Sequence, residues 1–247
     1  MTLVDKFTHI TKLKLNFEAE LRGTNPGEIR NMGLFEKLDP RITKYSSWLL
    51  LIFAFIFIFI TPFFPKDQHR FIGSVFYSLI FFTAIFTLDT GRKSLFIVAV
   101  IAFVTEWISE NFDASLMHYI SNLVNIIFFQ IIVFKMIIQI AKSKKADAGI
   151  IFEAINGYLM MGLMFVTWIV VAMLFDPNSF SFTTENPTAQ DYIYFTFVTM
   201  TTLGYGDITP VVPYAKSLAI LIATSGQIYV AIIIAMLVGK YAANQNE

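Results

Sequence analysis

Apolar residues run along this chain in six long blocks, and the charges collect between them. The blocks fall at roughly 46–64, 71–88, 94–109, 116–141, 154–175 and 213–238. About 20 apolar residues in a helix cover a hydrocarbon core ~30 Å thick, so the pattern predicts six membrane-crossing helices. The third block, SLFIVAVIAFVTEWIS, is the shortest and carries Glu106; a buried or re-entrant helix is the alternative there. A further apolar stretch, Tyr192 to Thr202, lies between the fifth and sixth blocks and is too short to cross. Ahead of the first block, Leu3, Phe7, Ile10, Leu13, Phe17 and Leu21 recur at steps of three and four. That spacing predicts an amphipathic helix, ending at the Asn25-Pro26-Gly27 turn. It is expected to lie on the inner leaflet or against the spans, with Lys12 and Lys14 toward lipid headgroups.

Charge placement orients the spans. Lys6, Lys12, Lys14, Arg22, Arg30, Lys37, Arg41 and Lys44 precede the first. Arg92 and Lys93 follow the second, Lys142, Lys144 and Lys145 the fourth, and Lys240 the sixth. The alternate loops hold Lys66, Arg70 and Lys216 among Glu110, Asp113, Asp176, Glu185 and Asp191. Basic loops stay cytoplasmic, so six spans with both termini inside fit, and five do not. The charged first forty or so residues do not resemble a cleavable signal. Composition agrees: 56% of the 247 residues are hydrophobic, 27 of them Phe, and mean hydropathy is +0.64. A soluble domain cannot hide that much apolar surface. Lys and Arg balance Asp and Glu at 18 each, which gives no sign of a nucleic-acid partner. Without cysteine there are no disulfides, thiolate sites or thiol nucleophiles. His9, His69 and His118 are too scattered for a metal site, and no Ser/His/Asp grouping or phosphate loop suggests an enzyme.

The short stretch before the sixth block carries the chemistry. Asp191 is expected to cap a helix from Tyr192 to Thr201 that dips into the membrane and stops partway. Lipid does not tolerate an irregular backbone unless protein or water surrounds it. Thr202, Leu203, Gly204, Tyr205 and Gly206 are therefore expected to line an internal aqueous path. Glycines reach backbone angles closed to residues with a Cβ, so this strand can aim successive carbonyl oxygens to one side. Four such strands around an axis would replace the hydration shell of a cation.

With its preceding Thr-rich segment, TMTTLGYGD at 199–207 resembles the signature of potassium channels, and six spans with a pore after the fifth resemble the voltage-gated-like superfamily of prokaryotic type. The resemblance implies an all-α integral membrane protein with six transmembrane helices, a re-entrant pore helix and a selectivity filter, assembled as a homotetramer. Thr202, Leu203, Gly204, Tyr205 and Gly206 would bind K⁺ as the filter, with Asp207 behind it near the outer mouth. Leu203 stands where the family has Val, which alters packing more than selectivity because the carbonyl is the ligand. Tyr194 and Phe195 would form an aromatic cuff around Tyr205. Gly226, inside an apolar helix where it costs ~1 kcal/mol relative to Ala, is the gating-hinge candidate. Close packing through a small residue is the alternative. Ser225 or Gln227 is expected to touch cavity water, and Ile233, Ala235 and Met236 are candidates for an apolar constriction. The carboxyl end of the pore helix would favour a cation at mid-membrane through its dipole.

The fourth block departs from the voltage-gated pattern. It has no arginine, and its embedded cation is Lys135 near the inner end. A steep sensor needs roughly three to four gating charges per subunit, so strong voltage gating is not expected, and Lys135 reads as a snorkelling residue. Asn122, Asn125 and Gln130 are expected to hydrogen-bond among the first four spans, the alternative being a small polar cavity that binds a ligand. The expected organisation is a cytoplasmic amphipathic segment (1–45), a four-helix sensor-like membrane domain (46–141), a cytoplasmic linker (142–153), a pore domain (154–240) and a short cytoplasmic tail (241–247). No nucleotide- or calcium-binding gating ring is expected in this chain. Control is expected from lipid, pH, the amino-terminal helix or a separate regulatory subunit, unless the chain is part of a longer one. Passive K⁺ conduction in the cell membrane, without cofactor, is the leading reading. The alternatives are a non-selective cation channel and a non-conducting receptor or accessory subunit.

Overall fold

In the computed structural model, residues 16, 40–65, 68–88, 94–101, 104, 115–143, 148–184 and 186–244 are described. Helix α1 spans Pro40–Phe55 and runs on through a π turn, Ile56–Ile60, and a 3-10 turn, Thr61–Phe63. Pro62 cannot donate a backbone hydrogen bond, which suits the first turn of a helix better than its continuation. Helix α2 spans His69–Thr87, and residues 94–101 are helical. Helix α3 covers Ser115–Lys142 and α4 Ala148–Phe175. After β1 (Phe180–Ser181) come α5 (Ala189–Met200), β2 (Thr209–Pro210) and α6 (Pro213–Asn244).

Four helical stretches among the described residues are long and apolar enough to cross a membrane: Tyr45–Phe63, Leu123–Lys142, Gly149–Phe175 and Pro213–Met236. They coincide with the first, fourth, fifth and sixth apolar blocks. The second block is helical as α2, with a shorter apolar run at Val75–Thr87. The third is helical where described, and 105–109 lie outside the described residues. So does the predicted amphipathic segment, apart from a helical Asn16.

Side-chain size sets how these helices meet. Ala54 of α1 and Ala84 of α2 are fully buried beside Leu50 and Ile80, and such small residues let helix backbones approach. Phe81 reaches across to α3, with ring centroids 5.3 Å from Phe128 and 6.3 Å from Phe129. Polar side chains then tie this layer to α4. Asn156 Nδ2 donates to the Ser47 carbonyl of α1 at 2.8 Å. Gln130 of α3 donates to Thr167 Oγ1 at 3.0 Å and accepts from Trp168 Nε1 at 3.3 Å. Gln130 thus bonds to α4 and not among the first four spans, because its face of α3 is the one turned to α4. Lys135, on the same helix, is exposed.

Helix α6 packs on α4 and α5 along a stripe including Ala215, Ile222, Gly226 and Tyr229. Tyr229 donates its hydroxyl to the Ala154 carbonyl at 2.8 Å, and Gly157 leaves the room: a Cβ there would fall 2.3 Å from that hydroxyl. Most of the other described residues of α6 are exposed. Only 17% of its apolar window is buried, against 50% for α4, so α6 forms an outer face of the chain.

Candidate functional site

Helix α5 has 12 residues, about 18 Å at the helical rise, too short for a ~30 Å core. Its start is built by Thr188 and Asp191. Thr188 is the N-cap, and the Asp191 carboxylate accepts from its N–H at 2.6 Å and its hydroxyl at 2.9 Å. This corrects the expectation that Asp191 caps a helix beginning at Tyr192. Asp191 is the N3 partner in a capping box, a pattern visible in sequence as Thr-x-x-Asp before an apolar run. The carboxylate also suits the positive end of the helix dipole. Beside it, Gln190 Nε2 donates to Thr61 Oγ1 at 2.7 Å. Thr61 is buried at the end of the first span, and its hydroxyl donates to the Phe57 carbonyl.

The other end of α5 closes in a Schellman motif. Leu203 N donates to Val198 O at 2.9 Å, and Thr202 N to Thr199 O at 3.0 Å. That motif needs a left-handed residue just past the cap, usually glycine. Here it is Thr202, with φ +61°. For a β-branched residue this is an outlier costing about 1–3 kcal/mol, and sequence propensity gives no hint of it. A hydrogen bond from Thr202 Oγ1 to Thr201 O at 2.6 Å supports the conformation.

From Thr202 the handedness alternates. Thr202, Gly204 and Gly206 have φ of +61°, +53° and +81°, and the intervening Leu203 and Tyr205 do not. Alternating left- and right-handed residues gather N–H groups on one side of the backbone and carbonyls on the other. A regular strand, by contrast, points successive carbonyls to opposite sides. The five sequence-predicted residues thus sit together on one irregular strand, and all are exposed in the single chain. The strand carries main-chain oxygens suited to a hard cation. Among the described residues, no group of three or more His, Asp or Glu side chains could hold a metal ion.

Two contacts hold the exit of this strand. Tyr194 donates its hydroxyl to Asp207 Oδ2 at 2.7 Å, and that bond pushes the Tyr194 phenol up to about 12. Within the chain, therefore, Tyr194 anchors Asp207 and not Tyr205. Phe195 is buried, 5.2 Å from Phe180 edge to face, so the expected cuff around Tyr205 is not made by this pair within the chain. Further out, β1 and β2 pair antiparallel, Phe180 opposite Pro210 and Ser181 opposite Thr209. Val211 N donates to Ser179 O at 2.8 Å, and Ser179 Oγ lies 2.7 Å from the Tyr214 hydroxyl. The chain entering α5 and the chain leaving the strand are stapled together, closing the whole element into a loop.

Gly226 lies within the unbroken α6, buried against the end of α5. A Cβ there would fall 2.3 Å from Met200 O, so the absence of a side chain lets the two helices touch. Of the constriction candidates, Ile233 and Met236 pack against the core and Ala235 is exposed. Residues 158–242, from α4 through α5 and the irregular strand into the last turns of α6, match the model of an ion-channel family. That match supports ion-channel function and, with the apolar helices, a membrane protein. No curated protein and no solved structure matches the chain.

Proposed function

We propose that this protein is a potassium-selective channel that lets K⁺ pass down its electrochemical gradient, with no cofactor beyond the ions it conducts. The observation that carries this reading is the alternation of φ through Thr202, Gly204 and Gly206. It follows directly on a helix that ends partway across a membrane. Carbonyls gathered on one side can replace the water shell of a dehydrated cation. The filter is Thr202, Leu203, Gly204, Tyr205 and Gly206. Aligned peptide dipoles ending near Thr201 add negative potential beneath it.

A single chain leaves this strand bare, and hydrocarbon cannot satisfy its polar groups. The proposed remedy is a homotetramer in which four strands surround one axis. The large uncovered face of α6, with Ile220, Leu221, Ile228 and Ile232 exposed, offers apolar area for neighbouring copies and lipid. The distribution of Lys and Arg supports six spans with both termini cytoplasmic, and the proposal places them in the cell membrane. In this proposal α6 pivots at Gly226, with the Met200 contact as fulcrum. Below Tyr229 the side chains of Ile232, Ala235 and Val238 are exposed in the single chain. With Lys135 the embedded cation of α3, gating is not steeply voltage-dependent, and control comes from another stimulus or a separate subunit.

Flux through the reconstituted chain tests the reading. K⁺ should pass and Na⁺ should not, with block by barium or a quaternary ammonium ion. Equal reversal potentials for K⁺ and Na⁺ would establish a non-selective pore, and absence of any flux a receptor or accessory subunit. A steep rise of conductance over a few tens of millivolts would overturn the gating proposal.

A further inference from the structure

The last four carbonyls of an α-helix have no partner within it, and at the end of α5 each can be followed. Val198 O accepts from the N–H groups of Leu203 and Gly204, and Thr199 O from that of Thr202. Thr201 O accepts from the Thr202 hydroxyl. The fourth, Met200 O, belongs to a residue with no exposed surface, and its donor comes from another helix. Gln227 of α6 donates through Nε2 at 3.4 Å. One residue earlier, Gly226 makes that approach possible, since a Cβ would fall 2.3 Å from Met200 O and 2.5 Å from Met200 Cγ.

We infer that Gly226 and Gln227 form a socket for the Met200 carbonyl, and that Gln227 is a positioning residue for ion selection. The inference rests on the reading of residues 202–206 as a K⁺ filter. The peptide joining Met200 to Thr201 is the last but one before the left-handed Thr202. With its carbonyl held, Thr202 starts the strand from a fixed point. Without a donor, a buried carbonyl is expensive to leave unpaired. The peptide then turns to find water, carrying Thr201 and Thr202 with it. Discrimination between cations depends on where the ring of oxygens is held, so a loosened inner end admits a smaller ion more easily. Gln227 touches no conducted ion in this account and acts through Met200.

The test measures K⁺/Na⁺ permeability ratios under bi-ionic conditions, using the full chain reconstituted in liposomes. Gln227→Met keeps the length of the side chain and removes its donor. Gln227→Glu keeps the shape and, at neutral pH, only accepts. Both are expected to lower the ratio roughly fivefold, the factor to which one part-buried hydrogen bond corresponds. Oligomer stability in detergent is measured in parallel, because a merely structural contact would move stability and leave the ratio alone. A wild-type ratio in either variant overturns the socket, whatever happens to stability. If Gln227→Met does not assemble, Gln227→Glu is read by the same ratio. A wild-type chain that itself fails to discriminate refutes the filter reading instead, so the two failures are distinct.

Discussion

Helix α5 rests on α4 through a notch that has no side chain. At Gly162 an added Cβ would fall 2.4 Å from Phe197 Cζ, 2.7 Å from Cε1 and 3.0 Å from Cε2. The phenyl ring therefore stands end-on against the α4 backbone. Ordinary carbon contacts lie near 3.5–4.0 Å, so Gly162→Ala requires a displacement of about 1 Å. Overpacking of this kind costs about 1–3 kcal/mol per chain, partly offset by the ~1 kcal/mol that alanine gains over glycine inside a helix. The shift also travels: Phe197 O accepts from Thr201 N and Thr201 Oγ1, directly before the left-handed Thr202. Phe197→Leu removes the tip of the ring and leaves a void, which is destabilising alone. Together, the new methyl occupies the space that the ring gave up. Thermal denaturation of the assembled protein in detergent, with K⁺ flux beside it, should show coupling of about 0.5–3 kcal/mol in favour of the double variant. Strict additivity of the two substitutions would refute the notch.

Gly204→Ala meets no atom within 4 Å in the single chain, so its cost is one of handedness at φ +53°, about 1–2 kcal/mol per chain. Borne by every copy around a ring, it should abolish or de-select conduction, and normal K⁺ flux in that variant would overturn the filter assignment. Thr188→Ala removes the N-cap of α5 and should cost about 0.5–2 kcal/mol, read as a lower melting temperature; an unchanged one would deny the capping box. Tyr194 is held neutral by Asp207 up to about 12. Because its pKa is raised, the stabilisation it brings is complete below the usual tyrosine value near 10 and is lost as pH passes the raised one. Subtracting the ultraviolet titration of Tyr194→Phe from that of wild type should leave one phenol ionising well above 10; ionisation at 10 would remove the anchor.

The sequence alone determined the helices and the irregular strand, because both obey local rules. Blocks near 20 apolar residues become helices in hydrocarbon, since only there are all backbone groups satisfied internally. That rule fits α1, α3, α4 and α6. Two glycines flanking Tyr205 announce backbone angles that ordinary residues avoid, and Thr-x-x-Asp announces the start of α5, although weight placed on Asp191 alone misjudged which residue caps it. Tertiary structure decided everything that depends on which faces meet. Gly162 and Phe197, Gly157 and Tyr229, and Met200 and Gln227 are distant in sequence, and no periodicity pairs them. Gln130 could have bonded on either side of α3, and only the packing turned it to α4. Thr202 belongs to neither group. Local propensity opposes a β-branched residue in a left-handed turn, and only the closure of α5 by its own carbonyls, with the strand that follows, imposes that conformation.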